Sequence, residues 1–456
     1  MDPGVFVNRR KELNILEEAW NRGRGLVLVY GRRRIGKTRL LLEWARDKPH
    51  VYYQAGMYSH EINLAGLARA FEEQLGLQGF SKARYPGVDV LLEYASKLWR
   101  DRLAIIIDEI TYWARSYPGV ISEIQRFVDH VLQGSGMVLV LSGSIVGVVL
   151  REIAGGGAPL YGRARVRMKL HELPPWCIAS FLPGYSPNEL VEVFSLVGGI
   201  PRYLVEWRSH LSPLEAYLNL FAPDGVLEDE PLMLLRDEVR NPAPYTSILR
   251  ALAEGKRTLG EISGFTGLPV GHVSRYLSTL MLLGLVEYEP LVPERRKRRL
   301  LRLRDRLLYS YYHIIEPTRY LLTVGRGRRI IERRFREVVA DGWEQLAAQH
   351  ALSVLSNTLK LEISRAGRLL HKGVGVDYVI VDDMSKRVLA VEAKWSKISQ
   401  THAIEIAKRV RARVNSILPG YTISIAIYTR DYEGTKIGGD LEIITPGDLS
   451  WNTGCT

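Results

Sequence analysis

Apolar residues run unbroken through GLVLVY (25–30), HVYYQA (50–55), LAIIIDE (103–109) and MVLVLSG (137–143), with stretches of helical spacing between them. Short unbroken apolar runs read as strands buried on both faces, and the intervening period of about 3.6 as covering helices. A parallel α/β sheet is therefore predicted within residues 1–170. From 171 to 238 the pattern turns helical, opening with HELPPWCIASFL and including LVEVFSLVGGIPRYLVEW, so a helical lid is expected there. Over 239–305, YTSILRALAEG, LGEISGFTG and GHVSRYLSTLMLLG read as three short helices, and LVEYEPLV with RRLLRLRD as a strand pair. That order is the one a winged helix-turn-helix requires. Ile262, Val273, Leu277, Leu280 and Leu283 recur at helical spacing and are its expected core, which turns His272, Ser274, Arg275 and Ser278 outward.

A helical connector is expected over 306–334 and a mixed α/β domain over 335–456. In that domain a helix at 335–353 precedes strands at LKLEISR, GVDYVIVD and RVLAVEAKW, a helix near 402–413, and strands at YTISIAIYT and LEIIT. The 456 residues, 46% hydrophobic, suffice for about three domains with buried cores. The fold class read from the pattern is thus multidomain α/β.

Lys and Arg outnumber Asp and Glu by 62 to 50, a net charge of +12, which makes a polyanionic partner plausible. Position sharpens this. PERRKRRLLRLR (293–304) carries seven basic residues against one Glu; as a hairpin wing, Arg295, Arg296, Lys297, Arg298 and Arg299 would grip phosphates. His272, Ser274 and Arg275 would then face double-stranded DNA from the second helix of the motif. Cys177 and Cys455 are far apart and lack metal-ligand spacing, so neither a disulfide nor a zinc site is expected. The cytosol is the expected compartment, and no uncharged run approaches the ~18 residues that would span a membrane.

Gly31-Arg32-Arg33-Arg34-Ile35-Gly36-Lys37-Thr38 satisfies GxxxxGK[ST] between a predicted strand and a predicted helix, the context that motif needs. Its glycines let the backbone wrap a phosphate of ATP, Lys37 neutralises the β and γ phosphates, and Thr38 offers a ligand to Mg²⁺; Arg39 follows at the helix start. Asp108 and Glu109 end an apolar strand, Asp108 positioned to hold Mg²⁺ and Glu109 to polarise the attacking water. Ser142 and Ser144, at the next strand end, are candidate γ-phosphate sensors. Arg163 is the candidate cation for the developing phosphoryl charge.

FVNRRKEL (6–13), GRRRIGKTRLL, IIIDE, LSGS, LYGR and VGGIPRYL (197–204) together resemble the archaeal ATPase family within the STAND class of P-loop NTPases, over roughly residues 5–235. The resemblance implies an archaeal source and a nucleotide-controlled switch rather than a processive motor. It also implies that Pro201 of Gly199-Ile200-Pro201 lies near the nucleotide, as does the box of Phe6, Arg9, Glu12 and Leu13.

In GVDYVIVDDMSKRVLAVEAKWS, Asp377 falls in one strand, with Glu392 and Lys394 two apart in the next, so the latter pair share a face. Two carboxylates that hold Mg²⁺ beside a lysine are suited to metal-assisted phosphodiester hydrolysis, and Glu344 on the preceding helix can add a carboxylate. This segment resembles the PD-(D/E)xK nuclease-like fold, the restriction-endonuclease-like α/β domain, with Gly375-Val376 where that family often has proline. The expected function is an ATP-binding, ATP-hydrolysing switch that binds or acts on DNA. The alternative is an ATP-controlled scaffold that recruits a protein partner or a second copy of itself without cutting.

Overall fold

The N-terminal apolar runs form a five-stranded, all-parallel sheet in the computed structural model, which describes residues 6–149, 153, 155–293, 299–371, 373–435, 438–453 and 455. The strands are β1 (Gly25–Tyr30), β2 (His50–Gln54), β3 (Leu103–Asp108), β4 (Met137–Gly143) and β5 (Ala164–Lys169), in the order β2-β3-β4-β1-β5. β3 and β4 are buried at every position, as strands covered on both faces must be. The core between sheet and helices gathers Val51, Leu67, Phe71, Ile105, Trp113 and Phe127. β5 has no counterpart among the predicted strands. Its sequence ARVRMK alternates half-buried and exposed positions until the buried Met168, and offers no apolar run to read.

The chain divides into two compact units, one through Glu172 and one from Leu173 to Cys455. The second begins with helices at Pro187–Val197, Pro201–Val205, Pro213–Leu220 and Glu230–Glu238, in the stretch expected to be helical. Ser186 and Glu189 form a capping box on the first, satisfying backbone N–H groups that helix starts leave unpaired. The helix-turn-helix follows at Ala243–Ala253, Leu259–Thr266 and Val270–Leu282. Ile262, Val273, Leu277, Leu280 and Leu283 are all buried, while His272, Ser274, Arg275 and Ser278 are exposed. β6 (Val286–Tyr288) pairs antiparallel with β8 (Leu301–Leu303), the expected strand pair.

Two features depart from the predicted pattern. β7 (Leu291–Val292), read from sequence as a continuation of the wing, pairs in parallel with β9 (Arg365–His371) of the C-terminal sheet. The strand expected at LKLEISR is found instead at RAGRLLH, where Leu369 is the buried anchor. The C-terminal sheet is mixed, in the order β13-β12-β11-β10-β9-β7, with β10 (Val374–Asp382), β11 (Arg387–Ser399), β12 (Thr422–Glu433) and β13 (Leu441–Ile444). β10 runs antiparallel to β9 and β11; β11, β12 and β13 are mutually parallel. Helix Gln400–Ile417 buries Ile406, Val410 and Val414 on one face of this sheet. A single helix, Arg328–His350, crosses the boundary expected at 334 and buries Trp343.

Cys177 and Cys455 form a disulfide, contrary to the unpaired cysteines expected. Their separation of 278 residues carries no local signal, and only the fold brings their Cα atoms to 5.4 Å. Among the described residues no helix is long and apolar enough to cross a membrane.

Candidate functional site

The loop from Gly31 to Gly36 leaves the carboxyl end of β1 and enters helix Lys37–Ala45. Two glycines are dictated by its path. Gly31 has φ +156°, and a Cβ there would lie 2.6 Å from the Leu170 carbonyl oxygen; Gly36 caps the helix at φ +95°. Lys37 is buried, and its Nζ donates to the carbonyls of Gly31 at 3.1 Å and Arg32 at 3.3 Å. Arg33 and Arg39 are exposed, Arg39 standing 3.8 Å from Glu43 on its own helix. Arg32, Arg34 and Ile35 complete the loop, and the Ile35 carbonyl accepts from buried Arg9 Nη2 at 3.2 Å. The same Nη2 donates to the His171 carbonyl at 2.8 Å, while Nη1 holds Glu12 at 3.2 Å. Burial lowers the Arg9 pKa from its ordinary value, and Glu12 opposes that shift.

Strand order brings the acidic pair to this loop. β4 lies between β1 and β3, with Val29 level with Ser142 and Ile107 level with Leu141, so Asp108 and Ser142 emerge side by side next to the phosphate loop. Asp108 is fully buried. Its Oδ2 accepts from Thr38 Oγ1 at 2.5 Å and from the Tyr52 hydroxyl at 3.0 Å; its Oδ1 accepts from Ser142 Oγ and from the Glu109 N–H at 3.0 Å. Glu109 sits at φ +55°, a left-handed conformation that non-glycine residues rarely adopt and that clusters at functional sites. Its carboxylate is fixed by the Ser144 N–H at 3.0 Å and Oγ at 2.6 Å, and lies 3.9 Å from Lys37 Nζ. Ser142 and Ser144 thus each hold one member of the acidic pair. The oxygen pair of Thr38 and Asp108 is the hard donor set that Mg²⁺ prefers.

Tyr52 was not singled out from sequence. Burial and the Asp108 carboxylate raise its pKa, so it stays a neutral donor. Only the pairing of β2 with β3, Gln54 level with Asp108, brings it there.

Arg163 stands elsewhere. β5 runs parallel to β1 with Ala164 level with Leu26, so Arg163 lies at the amino edge of the sheet, opposite the phosphate loop. There it forms a two-pronged pair with Asp129, Nε to Oδ1 at 2.7 Å and Nη2 to Oδ2 at 2.9 Å. The expectation that it meets phosphoryl charge is corrected by this register. Pro201 opens its short helix in the second unit. The neighbouring Gly199 is required by close packing, since a Cβ there would meet the Leu173 carbonyl oxygen at 2.1 Å.

In the second unit, Glu344, Asp377, Glu392 and Lys394 do converge. Lys394 Nζ lies 2.9 Å from Glu392 Oε1 and 3.7 Å from Asp377 Oδ2, and the Ala393 N–H donates to Asp377 Oδ2 at 2.9 Å. Pairing irregularities fall at this point, between Val376 and Val379 on β10 and between Lys394 and Lys397 on β11; such bulges re-aim side chains next to active sites. Burial, then the charges of Asp377 and Asp341, push the Glu344 carboxyl up to about 7. Glu392 is buried, and its Oε2 has no hydrogen-bond partner. An orphaned carboxylate oxygen beside a second carboxylate fits a hard cation. Among the described residues no three His, Cys, Asp or Glu side chains gather tightly enough to hold a metal alone, so an ion here would keep water or substrate oxygens as further ligands, as Mg²⁺ commonly does.

On the helix-turn-helix, Arg275 stacks on Tyr276 and Arg299 on Tyr288, with guanidinium carbons 5.6 and 5.1 Å from the ring centres. Arg295, Arg296, Lys297 and Arg298 lie outside the described residues.

Comparison with known proteins agrees with this layout. Residues 6–207 match an ATPase domain predominantly from Archaea, residues 246–290 an IclR helix-turn-helix domain, and residues 311–406 a family of archaeal and bacterial proteins of unknown function. An uncharacterized protein of Methanocaldococcus jannaschii is 28% identical over 98% of this chain and 100% of its own. An uncharacterized ATP-binding protein of the same organism is 47% identical over 45 residues, 10% of this chain and 76% of its own. The Walker-type ATPase of Pyrococcus abyssi superposes with a TM-score of 0.52 at 19% identity, over 68% of this chain and 96% of its own. Residues 6–207 are therefore similar to an ATPase domain found predominantly in Archaea, and the chain combines a P-loop ATPase-like α/β fold with a helix-turn-helix region and a C-terminal mixed sheet.

Proposed function

We propose that the protein is a Mg²⁺-dependent ATP-hydrolysing switch that binds DNA through its helix-turn-helix and acts on it with the carboxylate–lysine cluster of the C-terminal sheet. The observation that carries the ATPase part is the convergence of Lys37, Thr38, Asp108 and Glu109, with Thr38 2.5 Å from Asp108 and Lys37 3.9 Å from Glu109. Backbone N–H groups of the 31–38 loop and Lys37 bind the β and γ phosphates. Glu109, held by Ser144, accepts the proton of a water whose oxygen bonds to the γ-phosphorus as the bond to the β–γ bridging oxygen breaks, giving ADP and phosphate. Thr38 and Asp108 would hold Mg²⁺, which supplies charge neutralisation at the phosphates. Lys37 leaves the loop carbonyls for the nucleotide when ATP binds, so the loop holds its cation ready.

The DNA reading is supported by the exposed set His272, Ser274 and Arg275 on helix Val270–Leu282 and by the net charge of +12. For the C-terminal cluster we propose metal-dependent phosphodiester hydrolysis. Asp377 and Glu392 would hold the ion, Lys394 would orient the attacking water, and Glu344 would add a further carboxylate beside them. The deciding experiment measures ATP turnover with and without duplex DNA for the wild type, Lys37→Ala and Glu109→Gln. Mg²⁺-dependent turnover that is raised by DNA and lost in both variants is expected. Turnover that survives Lys37→Ala refutes hydrolysis at this site, and indifference to DNA favours a scaffold that recruits a protein.

A further inference from the structure

The departure of β7 from the wing has a chemical consequence. Leu291 pairs with Arg368 and Val292 with Leu369, so this short stretch after β6 is built into the edge of the C-terminal sheet. Gly367, at φ +158°, allows this approach: a Cβ there would meet the Pro290 carbonyl oxygen at 2.5 Å. Beside the join lies a cleft, open to solvent, within the second unit. Arg257 and Arg302 enter it from the helix-turn-helix region and Arg368 from β9, while Asp341, Glu344 and Asp377 form its acidic side.

Glu289 is the informative residue. Its side chain is 9% exposed and bridges two of the arginines, with Oε2 3.2 Å from Arg257 Nη1 and Oε1 3.4 Å from Arg368 Nη1. An oxyanion clasped between guanidinium groups has the charge and hydrogen-bond pattern of a phosphate clasped by arginine. Arg302 holds Glu287 in the same way, Nε to Oε1 at 2.7 Å, and remains about a third exposed at 30%. Three guanidinium groups, each occupied by a carboxylate of the same polypeptide, therefore face two carboxylates of the proposed cleavage site across one cleft.

We propose that this cleft takes backbone phosphates of a DNA strand at its mouth, with Arg257, Arg302 and Arg368 as positioning residues that hold phosphates beside the bond presented to Asp377. Glu289 keeps the guanidinium groups in place until a strand phosphate displaces it. The inference rests on the cleavage reading of Asp377, Glu392 and Lys394, and it makes Glu289 and Arg302 part of that site.

The test is anisotropy of a fluorescent single-stranded oligonucleotide with the full-length protein in EDTA, where metal-dependent cleavage cannot occur. Arg257→Gln combined with Arg368→Gln is expected to weaken binding about tenfold and to lower the slope of log affinity against log salt by roughly 0.7 for each strand phosphate that is no longer neutralised. Glu289→Gln is expected to bind several-fold tighter, because a neutral amide competes less with phosphate. Arg329→Gln, an exposed position outside the cleft, should change affinity less than about twofold. Strand affinity unchanged in the arginine pair, or not raised by Glu289→Gln, overturns the proposal; should the arginine pair fail to fold, the Glu289→Gln result decides alone. Parallel cleavage assays in Mg²⁺ with Asp377→Ala separate the two readings. Arginine-dependent strand binding without cleavage by the wild type removes the nuclease and keeps the strand site. Cleavage lost in Asp377→Ala with strand binding untouched in the arginine pair does the reverse.

Discussion

Asp108 gives the sharpest quantitative prediction, because its carboxylate is fully buried and receives four donors. In Asp108→Asn the amide oxygen must face Ser142 and the Glu109 N–H, since a backbone N–H cannot reverse its role. The amide NH₂ then faces Thr38 and Tyr52, whose hydroxyls can rotate to accept. All four hydrogen bonds survive as neutral ones, each weaker by about 1 kcal/mol than its charge-assisted original. The variant also escapes the desolvation of a buried carboxylate, a cost of several kcal/mol. The two effects oppose each other, so the nucleotide-free Asp108→Asn protein should melt within a few degrees of the wild type. Asp108→Ala leaves a buried backbone N–H and three hydroxyls to find other partners, at about 1–3 kcal/mol for each that fails, and should melt clearly lower. Function should order differently. Both variants lose the carboxylate proposed for Mg²⁺, so the extra thermal stabilisation that Mg²⁺ adds to ATP binding should disappear in both, and turnover should fall by at least about 100-fold. Calorimetric melting with ATP plus Mg²⁺ against ATP plus EDTA, beside a phosphate-release assay, reads all of this. Retention of the Mg²⁺-dependent shift by Asp108→Asn would refute the metal role, and an Ala variant as stable as the Asn variant would refute the hydrogen-bond reasoning.

Arg163→Gln should leave ATP turnover within about twofold of wild type, because its register places it at the sheet edge away from the loop; a loss beyond about tenfold, more than about 1.4 kcal/mol of barrier, would reinstate a catalytic role. Non-reducing thiol titration of the denatured protein should find no free cysteine, and reduction, which opens a 278-residue separation, should lower stability by about 2–4 kcal/mol; two titratable thiols in the untreated protein would refute the pairing. Burial, then the charge of Glu189, pushes the Glu192 carboxyl up to about 7. Its folded-state pKa lies above the unfolded one, so its contribution to stability is present below about pH 4.5 and is lost as pH rises through about 7. Glu192→Gln should match the wild type near pH 4.5 and exceed its stability by about 1–3 kcal/mol at about pH 8, read by melting at both values; parallel profiles would show that the carboxyl is not buried as described.

The strand–loop–helix of residues 25–45, proposed to bind phosphate, was legible because its pattern is local. A backbone that wraps a phosphate needs Gly31 and Gly36 at fixed spacing, with Lys37 and Thr38 at the start of the helix that follows, and no other segment is consulted. Asp108 and Glu109 were legible for a related reason: a fully apolar strand that ends in two carboxylates delivers them to the carboxyl edge of a parallel sheet whatever the strand order. The helix-turn-helix core, Ile262 through Leu283, was likewise fixed by helical spacing, as was the shared face of Glu392 and Lys394 by strand alternation. Strand order and register were not legible, because hydrogen bonds between backbones are blind to which side chains they bring level. Register moved Arg163 to the edge opposite the phosphate loop and brought Tyr52 onto Asp108. It also turned β7 out of the wing into the C-terminal sheet, where Glu289 meets Arg257 and Arg368. The Cys177–Cys455 pair depends on still longer range, since 278 residues of chain must fold before the two sulfurs can meet. Sequence by itself determined which segments carry chemistry; tertiary structure decided which of them share a site, because the meeting of distant segments arises from packing the whole sheet and not from any property of either segment alone.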